Sequence, residues 1–249
     1  MKTAVIGLGV IGRVHVDVLD KMGNRPAAVC DVDAERMSVC PQAAQYTDYR
    51  RMLVEVKPDV VHVCTPHDRH ADMIVDALER NINVLCEKPL CIRREDIPRI
   101  LAAEKRSKAI LGVCLQNRYN PANRYVKQFL ADKTVLGGVG NVVWHRYAAY
   151  YRADAWRGKR ATEGGGVLIN QAIHTLDLLE WFIGEPQYAT AAVSTLRLQK
   201  EIEVEDTAAV LYTGGANFTF FATNGSAVEL PVEITLKTEN EHIKVCNDT

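Results

Sequence analysis

The 249-residue sequence has no apolar run approaching the roughly 20 residues that a membrane-spanning helix needs, so no membrane partner is expected. It has no excess of charge of one sign. Thirty Lys and Arg stand against 31 Asp and Glu, a formal net charge of -1, which gives no field of the kind that recruits nucleic acid. No internal repeat, low-complexity tract or flexible linker interrupts the chain. The opening Met-Lys-Thr-Ala-Val-Ile-Gly lacks the length and flanks of a signal peptide, and a cytoplasmic protein is expected. The seven cysteines are odd in number and lack paired metal-ligand spacing, so neither a disulfide framework nor a metal site is expected. Cys30, Cys64, Cys86 and Cys114 fall in or at the end of apolar runs, as buried free thiols do in a reducing compartment. Cys86 and Cys91 flank Glu87-Lys88-Pro89 without a histidine at nucleophile-pair spacing, which argues against thiolate catalysis.

What is present is a composition of 47% apolar and 24% charged residues, ordinary for a soluble globular protein and enough for two modest domains. Short apolar runs at 3–6, 27–30, 59–64, 83–86 and 110–115 alternate with amphipathic segments at 10–22, from 33, and at 48–56, 69–80 and 94–107. Over 10–22, Val10, Val14, Val18 and Met22 recur every fourth residue. Strand and helix in strict alternation, with near-continuous apolar strands, predict a doubly wound parallel sheet. After about residue 116 the rhythm changes: a helix at 121–131, a strand-like run at 140–151, a helix at 167–183, then strand-like segments that include 207–212, 217–223 and 232–237. The expected fold is α/β: an N-terminal Rossmann domain over 1–117 and a C-terminal α+β domain over 118–249 with a largely antiparallel sheet.

Gly7-Leu8-Gly9-Val10-Ile11-Gly12 is a G-x-G-x-x-G loop between a predicted strand and a predicted helix, the context that gives the pattern meaning. Gly7 permits the tight turn, Gly9 lets a pyrophosphate approach the backbone, and Gly12 lets helix pack on strand, with Val10 and Ile11 opening the helix. Asp31, nineteen residues beyond Gly12, ends the second strand, where a carboxylate accepts the adenosine ribose hydroxyls and repels a 2′-phosphate. NAD is therefore expected in preference to NADP, with Arg36 as the residue that could reach a 2′-phosphate. Asp33 is the better candidate for a plain helix cap.

Three segments place polar groups where strands of such a sheet end: Thr65-Pro66-His67-Asp68-Arg69-His70, Glu87-Lys88-Pro89, and Gln116-Asn117-Arg118-Tyr119. In a fourth, Gly164 to Asp177, helical spacing puts Leu168, Ala172, Leu176, Leu179 and Ile183 on one face and Asn170, His174, Asp177 and Trp181 on the other. A solvated face would look the same, yet a histidine with an amide one turn away also suits a base and its orienting group. Between 145 and 159 a basic, aromatic stretch including Tyr147, Trp156 and Arg157 suits sugar rings, carboxylates and phosphates, although half of it could simply pack or solvate.

The series of glycine loop, Thr-Pro-x-x-x-His, Glu-Lys-Pro and Gly-Gly-x-Leu-x-Asn-x-x-x-His-x-x-Asp, in this order from Gly7 to Asp177, resembles the glucose–fructose oxidoreductase/inositol dehydrogenase (Gfo/Idh/MocA) family. The resemblance implies that Lys88 is the catalytic lysine, donating to the substrate oxygen, and that Lys88–Pro89 is a candidate cis peptide. It implies that His174 takes the hydroxyl proton while hydride leaves the same carbon. Thr65, Pro66 and His70 would line the nicotinamide and its ribose, and Glu87 would help fix the cofactor. Arg118, Tyr147, Trp156, Arg157, Asn170 and His174 would bind a sugar, sugar acid or nucleotide-linked sugar.

Two departures stand out. Asn170 occupies the place of an aspartate in many members, and an amide orients a base without raising its basicity. Members of the family usually run well past 300 residues, whereas this sequence stops at Thr249 in a strand-rich stretch. A homo-oligomer, dimer or tetramer, built through the C-terminal sheet is the expected way of covering what that leaves open. A dinucleotide-binding sensor without chemistry, and an NAD-retaining glycosidase or epimerase, stay open as alternatives.

Overall fold

In a computed structural model of the protein, residues 1–247 are described, and they form two compact units, Met1–Cys114 and a second that begins at Leu115. The first holds β1 (Thr3–Ile6), α1 (Val10–Lys21), β2 (Ala28–Cys30), β3 (Ala44–Tyr46), α2 (Tyr49–Val56), β4 (Val60–Val63), α3 (His70–Leu78), β5 (Asn83–Cys86), α4 (Asp96–Arg106) and β6 (Leu111–Val113). The six strands are all parallel in the order β3-β2-β1-β4-β5-β6. Strand order therefore reverses between β1 and β4, the crevice where ligands of open α/β sheets lie.

Two sequence readings are corrected in this unit. The segment after Asp33 is a short 3-10 turn, Ala34–Val39, with the Asp33 side chain accepting from Glu35 N as its cap. In α1 the four-residue recurrence does not mark the packed face. Val10, Val14, Val18 and Met22 are exposed, and the helix buries Gly12, Val16 and Leu19. The reason lies at Gly12: a Cβ there would stand 1.8 Å from the Gly7 carbonyl oxygen, so the bare glycine decides which side meets the sheet.

The second unit contains α5 (Pro121–Phe129), β7 (Val135–Val143), α6 (Ala148–Arg152), α7 (Ile173–Ile183), β8 (Tyr188–Ser194), β9 (Thr207–Thr213), β10 (Asn217–Thr223), β11 (Val232–Thr238) and β12 (His242–Asn247). Its sheet runs β12-β11-β7-β10-β9-β8 and is antiparallel except where β10 lies parallel to β7. One face is covered by Leu178, Leu179 and Phe182 of α7 with Val126 of α5, packed on Val142, Phe218, Phe220, Ile234 and Leu236. The central β7 must be glycine-rich: a Cβ at Gly137 would stand 2.4 Å from the Asn217 carbonyl oxygen, and one at Gly140 would stand 2.5 Å from Leu179. On the opposite face Val139, Leu211 and Phe221 are exposed.

The strand expected at 140–151 ends at Val143, and 148–152 is instead the helix α6. The helix expected from residue 167 begins at Ile173. Residues before it are held by Glu205, whose carboxylate accepts from Gly166 N at 2.9 Å and Leu168 N at 3.2 Å. The buried face of α7 is Thr175, Leu178, Leu179 and Phe182.

Between β8 and β9 the loop is gathered by Asp206, fully buried, whose carboxylate accepts from Leu196 N, Arg197 N, Leu198 N and Thr207 Oγ1 at 2.8–3.1 Å. Burial alone would raise this carboxyl, but those donors more than offset it and hold it below its ordinary value. Its stabilisation is therefore complete above the ordinary aspartate range and disappears as pH falls through the depressed value. Asp206→Ala is expected to destabilise by about 3 kcal/mol at pH 7, read by urea denaturation. The gap from wild type should narrow as the buffer is taken below about pH 4. No helix among the described residues is long and apolar enough to cross a membrane.

Candidate active site

At the carboxyl end of β1 the chain turns through Gly7, whose φ of 87° is left-handed and whose missing Cβ would stand 2.6 Å from the Cys64 carbonyl oxygen. Gly9 is the N-cap of α1 with no side-chain cap, so the first amides of the helix stay available. A Cβ on Gly9 would meet nothing closer than Arg36 Nη1 at 3.8 Å. Bare space before a helix N-terminus is what a pyrophosphate requires, and the residues present fit a dinucleotide. Asp31 is buried and accepts from Leu8 N at 2.6 Å and Asp33 N at 2.9 Å, so the carboxylate also braces the glycine loop. Arg36 pairs with Asp33 at 3.3 Å.

On the other side of the strand reversal, Thr65 and Pro66 are half-buried at the end of β4. His70 is fully buried, with Nδ1 2.7 Å from the Pro89 carbonyl oxygen and Nε2 2.9 Å from that of Thr65. A ring enclosed in this way ties the end of β4 to the Lys88–Pro89 peptide. Lys88 follows β5, is half-buried, and joins Pro89 through a cis peptide. Lys88 N donates to Glu87 Oε2 at 3.2 Å, while Glu87 Oε1 lies 3.0 Å from His15 Nε2. His15 Nδ1 in turn lies 2.9 Å from His62 Nδ1. Burial, and next the charge of His15, push His62 down to about 4, so it is neutral at physiological pH. Burial would raise Glu87, but His15 and Lys88 hold it below the usual carboxylate range. The lysine peptide is thus clasped from two sides, by His15 through Glu87 and by His70 through Pro89.

Sequence reasoning missed His15 and His62. Each reads as an ordinary helix or strand histidine, and only the β1–β4 ladder, with Val5 opposite His62, signals that they converge. The cysteines behave as read: all are free, with Cys30, Cys64 and Cys86 buried and Cys114 half-buried. Burial raises each, Cys30 and Cys114 to about 12 and the other two well above the ordinary thiol value. They do not supply a thiolate nucleophile.

In the second unit Asn170 is buried and donates from Nδ2 to Glu163 Oε1. Glu163, only 1% exposed, also accepts from Gly158 N. The carboxylate that position 170 lacks is therefore present seven residues earlier, in a stretch of turns before α7. His174 is half-buried in the first turn of α7. Further along, Asp177 takes a bidentate pair from Arg118, Nε at 2.8 Å and Nη2 at 2.5 Å, and the Arg118 guanidinium lies 5.6 Å from the Trp181 ring. The fork expected to meet substrate is thus occupied by Asp177. Arg157 pairs with Asp154 at 2.9 Å and lies over the rings of Tyr150 and Trp156, whereas Tyr147 is exposed.

Comparison with known proteins follows this division. Residues 1–115 match the model of an oxidoreductase family with an NAD-binding Rossmann fold, and residues 124–241 match the Gfo/Idh/MocA C-terminal domain. The structure of the WlbA dehydrogenase from Chromobacterium violaceum, solved with NADH and UDP-GlcNAcA, is 30% identical, with 99% of this chain and 74% of that chain covered and a TM-score of 0.92. The chain belongs to the Gfo/Idh/MocA oxidoreductase family. The WlbA dehydrogenase from Bordetella pertussis, also solved with NADH and UDP-GlcNAcA, is 27% identical at the same TM-score, with 99% and 79% covered. D-apiose dehydrogenase of Paraburkholderia graminis is 28% identical over 225 residues, 88% of this chain and 58% of its own. Across the first three curated relatives the chain spans 39%, 58% and 65% of their length. Within this Gfo/Idh/MocA chain, then, the glycine cradle and the Lys88 clasp belong to the first unit, and the Glu163–Asn170 pair and His174 to the second.

Proposed function

We propose that the chain is an NAD-dependent dehydrogenase that interconverts a secondary alcohol and a ketone on a sugar, sugar acid or nucleotide-linked sugar. The observation that carries this reading is the clasped Lys88 peptide at the end of β5, in the same sheet as a glycine loop bare at Gly9. NAD, when bound, supplies the acceptor for hydride from the carbinol carbon. Gly7, Gly9, Val10, Ile11 and Gly12 hold its pyrophosphate, Asp31 its adenosine ribose, and Thr65, Pro66 and Glu87 shape the nicotinamide end. Lys88 donates a hydrogen bond to the substrate oxygen. His174 accepts the hydroxyl proton, and Asn170, backed by the Glu163 carboxylate, orients the reacting group. Trp156 and Arg157 supply an aromatic face and a cation for a sugar carrying an anionic group, and exposed Tyr147 adds a second ring. The UDP-GlcNAcA held by the WlbA dehydrogenases supports a nucleotide-linked sugar acid within that class.

The test is a calorimetric titration with NAD and NADP, followed by a sugar and polyol panel read at the nicotinamide absorbance. NAD is expected to bind at least tenfold more tightly than NADP, because a 2′-phosphate would meet the Asp31 carboxylate. Binding of neither would overturn the assignment, and NAD binding without turnover on any panel member would favour a sensor.

A second copy of the chain is the partner proposed for the second unit. Val139, Leu211 and Phe221 are exposed, and the register sets Thr219 opposite both Val139 and Leu211, so the apolar positions share the uncovered sheet face. Light scattering at micromolar concentration should report an oligomer, and Phe221→Lys should shift it towards monomer. A monomeric wild type would sink this reading.

A further inference from the structure

The buried clasp behind Lys88 contains more chemistry than holding a peptide requires. His15 comes from α1, Glu87 from the end of β5 and Cys114 from the end of β6, and the histidine nitrogen, carboxylate oxygen and sulfur all lie within 4.8 Å of one another. His15 Nε2 and Glu87 Oε1 lie 3.0 Å apart, a separation that two ligands of one small divalent cation can span, with the sulfur close by. The backbone sets the ligands side by side: Glu87 N donates to the Val63 carbonyl at 2.9 Å and Cys114 N to that of Cys86 at 2.8 Å.

We propose that His15, Glu87 and Cys114 form a site for one borderline-soft divalent cation of the zinc class. The donor set chooses the ion. Imidazole, carboxylate and thiolate together suit zinc, whereas magnesium and calcium take oxygen ligands. Three protein ligands leave a fourth tetrahedral position for water. Binding displaces the Cys114 thiol proton to solvent and leaves a dication facing one thiolate, one carboxylate and a neutral imidazole, so the inner sphere is uncharged overall. The outer sphere is built as well. With the metal on Nε2, the His15 proton resides on Nδ1 and is donated to His62 Nδ1, 2.9 Å away. Glu87 keeps its second oxygen on Lys88 N. Because the ion and the Lys88 clasp share Glu87, the bound cation acts as an inhibitor, a consequence that rests on the proposed dehydrogenase activity. The binding itself does not.

Cobalt(II), added alone to the chelator-treated full-length protein, is the probe. One equivalent should give a thiolate-to-cobalt charge-transfer band in the near ultraviolet with visible d–d bands, and zinc should bleach both. Cys114→Ser, with its fold checked by thermal melting, should abolish the charge-transfer band, and Cys246→Ser, at an exposed cysteine, should leave it. His62→Phe should weaken cobalt binding roughly 10- to 100-fold as the imidazole loses its orienting partner. Absence of a band at one equivalent, its survival in Cys114→Ser, or its loss in Cys246→Ser overturns the site. In a separate arm, zinc should inhibit turnover of wild type and not of Cys114→Ser. If the bands are present and no substrate is turned over, the metal site stands and the dehydrogenase reading falls.

Discussion

Replacing Lys88 with alanine is expected to lower turnover by about 10²- to 10⁴-fold while dinucleotide affinity stays within a few-fold of wild type. The separation follows from which atoms hold the clasp. Glu87 is engaged by the Lys88 backbone amide, and His70 by the Pro89 carbonyl, so neither bond uses the ammonium group. Alanine therefore removes the donor to the substrate oxygen and leaves the peptide held from both sides. Arginine at 88 should not restore turnover, because a planar fork does not place one donor where an ammonium did. Steady-state rates on the best substrate of the panel, set beside calorimetry with NAD, make the comparison. Normal turnover in Lys88→Ala would remove the lysine from the chemistry.

The glycine loop should separate folding from binding. At Gly12 an added methyl would stand 1.8 Å from the Gly7 carbonyl oxygen and 2.8 Å from its carbon, both backbone atoms that cannot yield. Gly12→Ala is expected to cost about 4 kcal/mol or more, or to prevent folding of the first unit. At Gly9 the nearest protein atom lies 3.8 Å away, so Gly9→Ala should melt within a few degrees of wild type. Its methyl instead enters the room reserved for the pyrophosphate, and NAD affinity should fall at least tenfold. Unchanged NAD binding in a folded Gly9→Ala protein would mean that the cradle lies elsewhere.

What could be read from the sequence, and what could not, divides along a physical line. The parallel sheet was legible because short apolar runs alternate with amphipathic segments, and a glycine loop marks the end of the first strand. The edge strand β3 was not: Ala44–Tyr46 is three residues long, with Ala44 and Gln45 exposed, and lacks the apolar run of its neighbours. In α1 the visible stripe of valines pointed to the wrong face, because a close approach at a glycine carries no hydrophobic signal. At 145–152 the aromatic residues favour a strand locally, yet 148–152 is helical, with Arg146 and Arg157 lying against Tyr150. The site shows the same split. Lys88, Asp31 and the glycines announce themselves by spacing. His15 with His62, 47 residues apart, is a pair made by folding, and Asn170 meets Glu163 across a stretch of turns that is not helical.

The parallel pairing of β7 with β10 also bears on how the chain is made. In the first unit β5 follows β4 closely, with Val60 opposite Asn83, whereas Gly137 must find Asn217, 80 residues later. At ribosomal speeds those residues take roughly 4–16 s to emerge, during which β7 waits without its central neighbour. Its ends carry apolar side chains, Val135 and Leu136 at one and Val142 and Val143 at the other, but glycine at 137, 138 and 140 leaves the middle with little side-chain surface to offer a stray partner. The glycines that let α7 and β10 approach so closely in the finished sheet thus also keep the nascent chain from pairing with the wrong one.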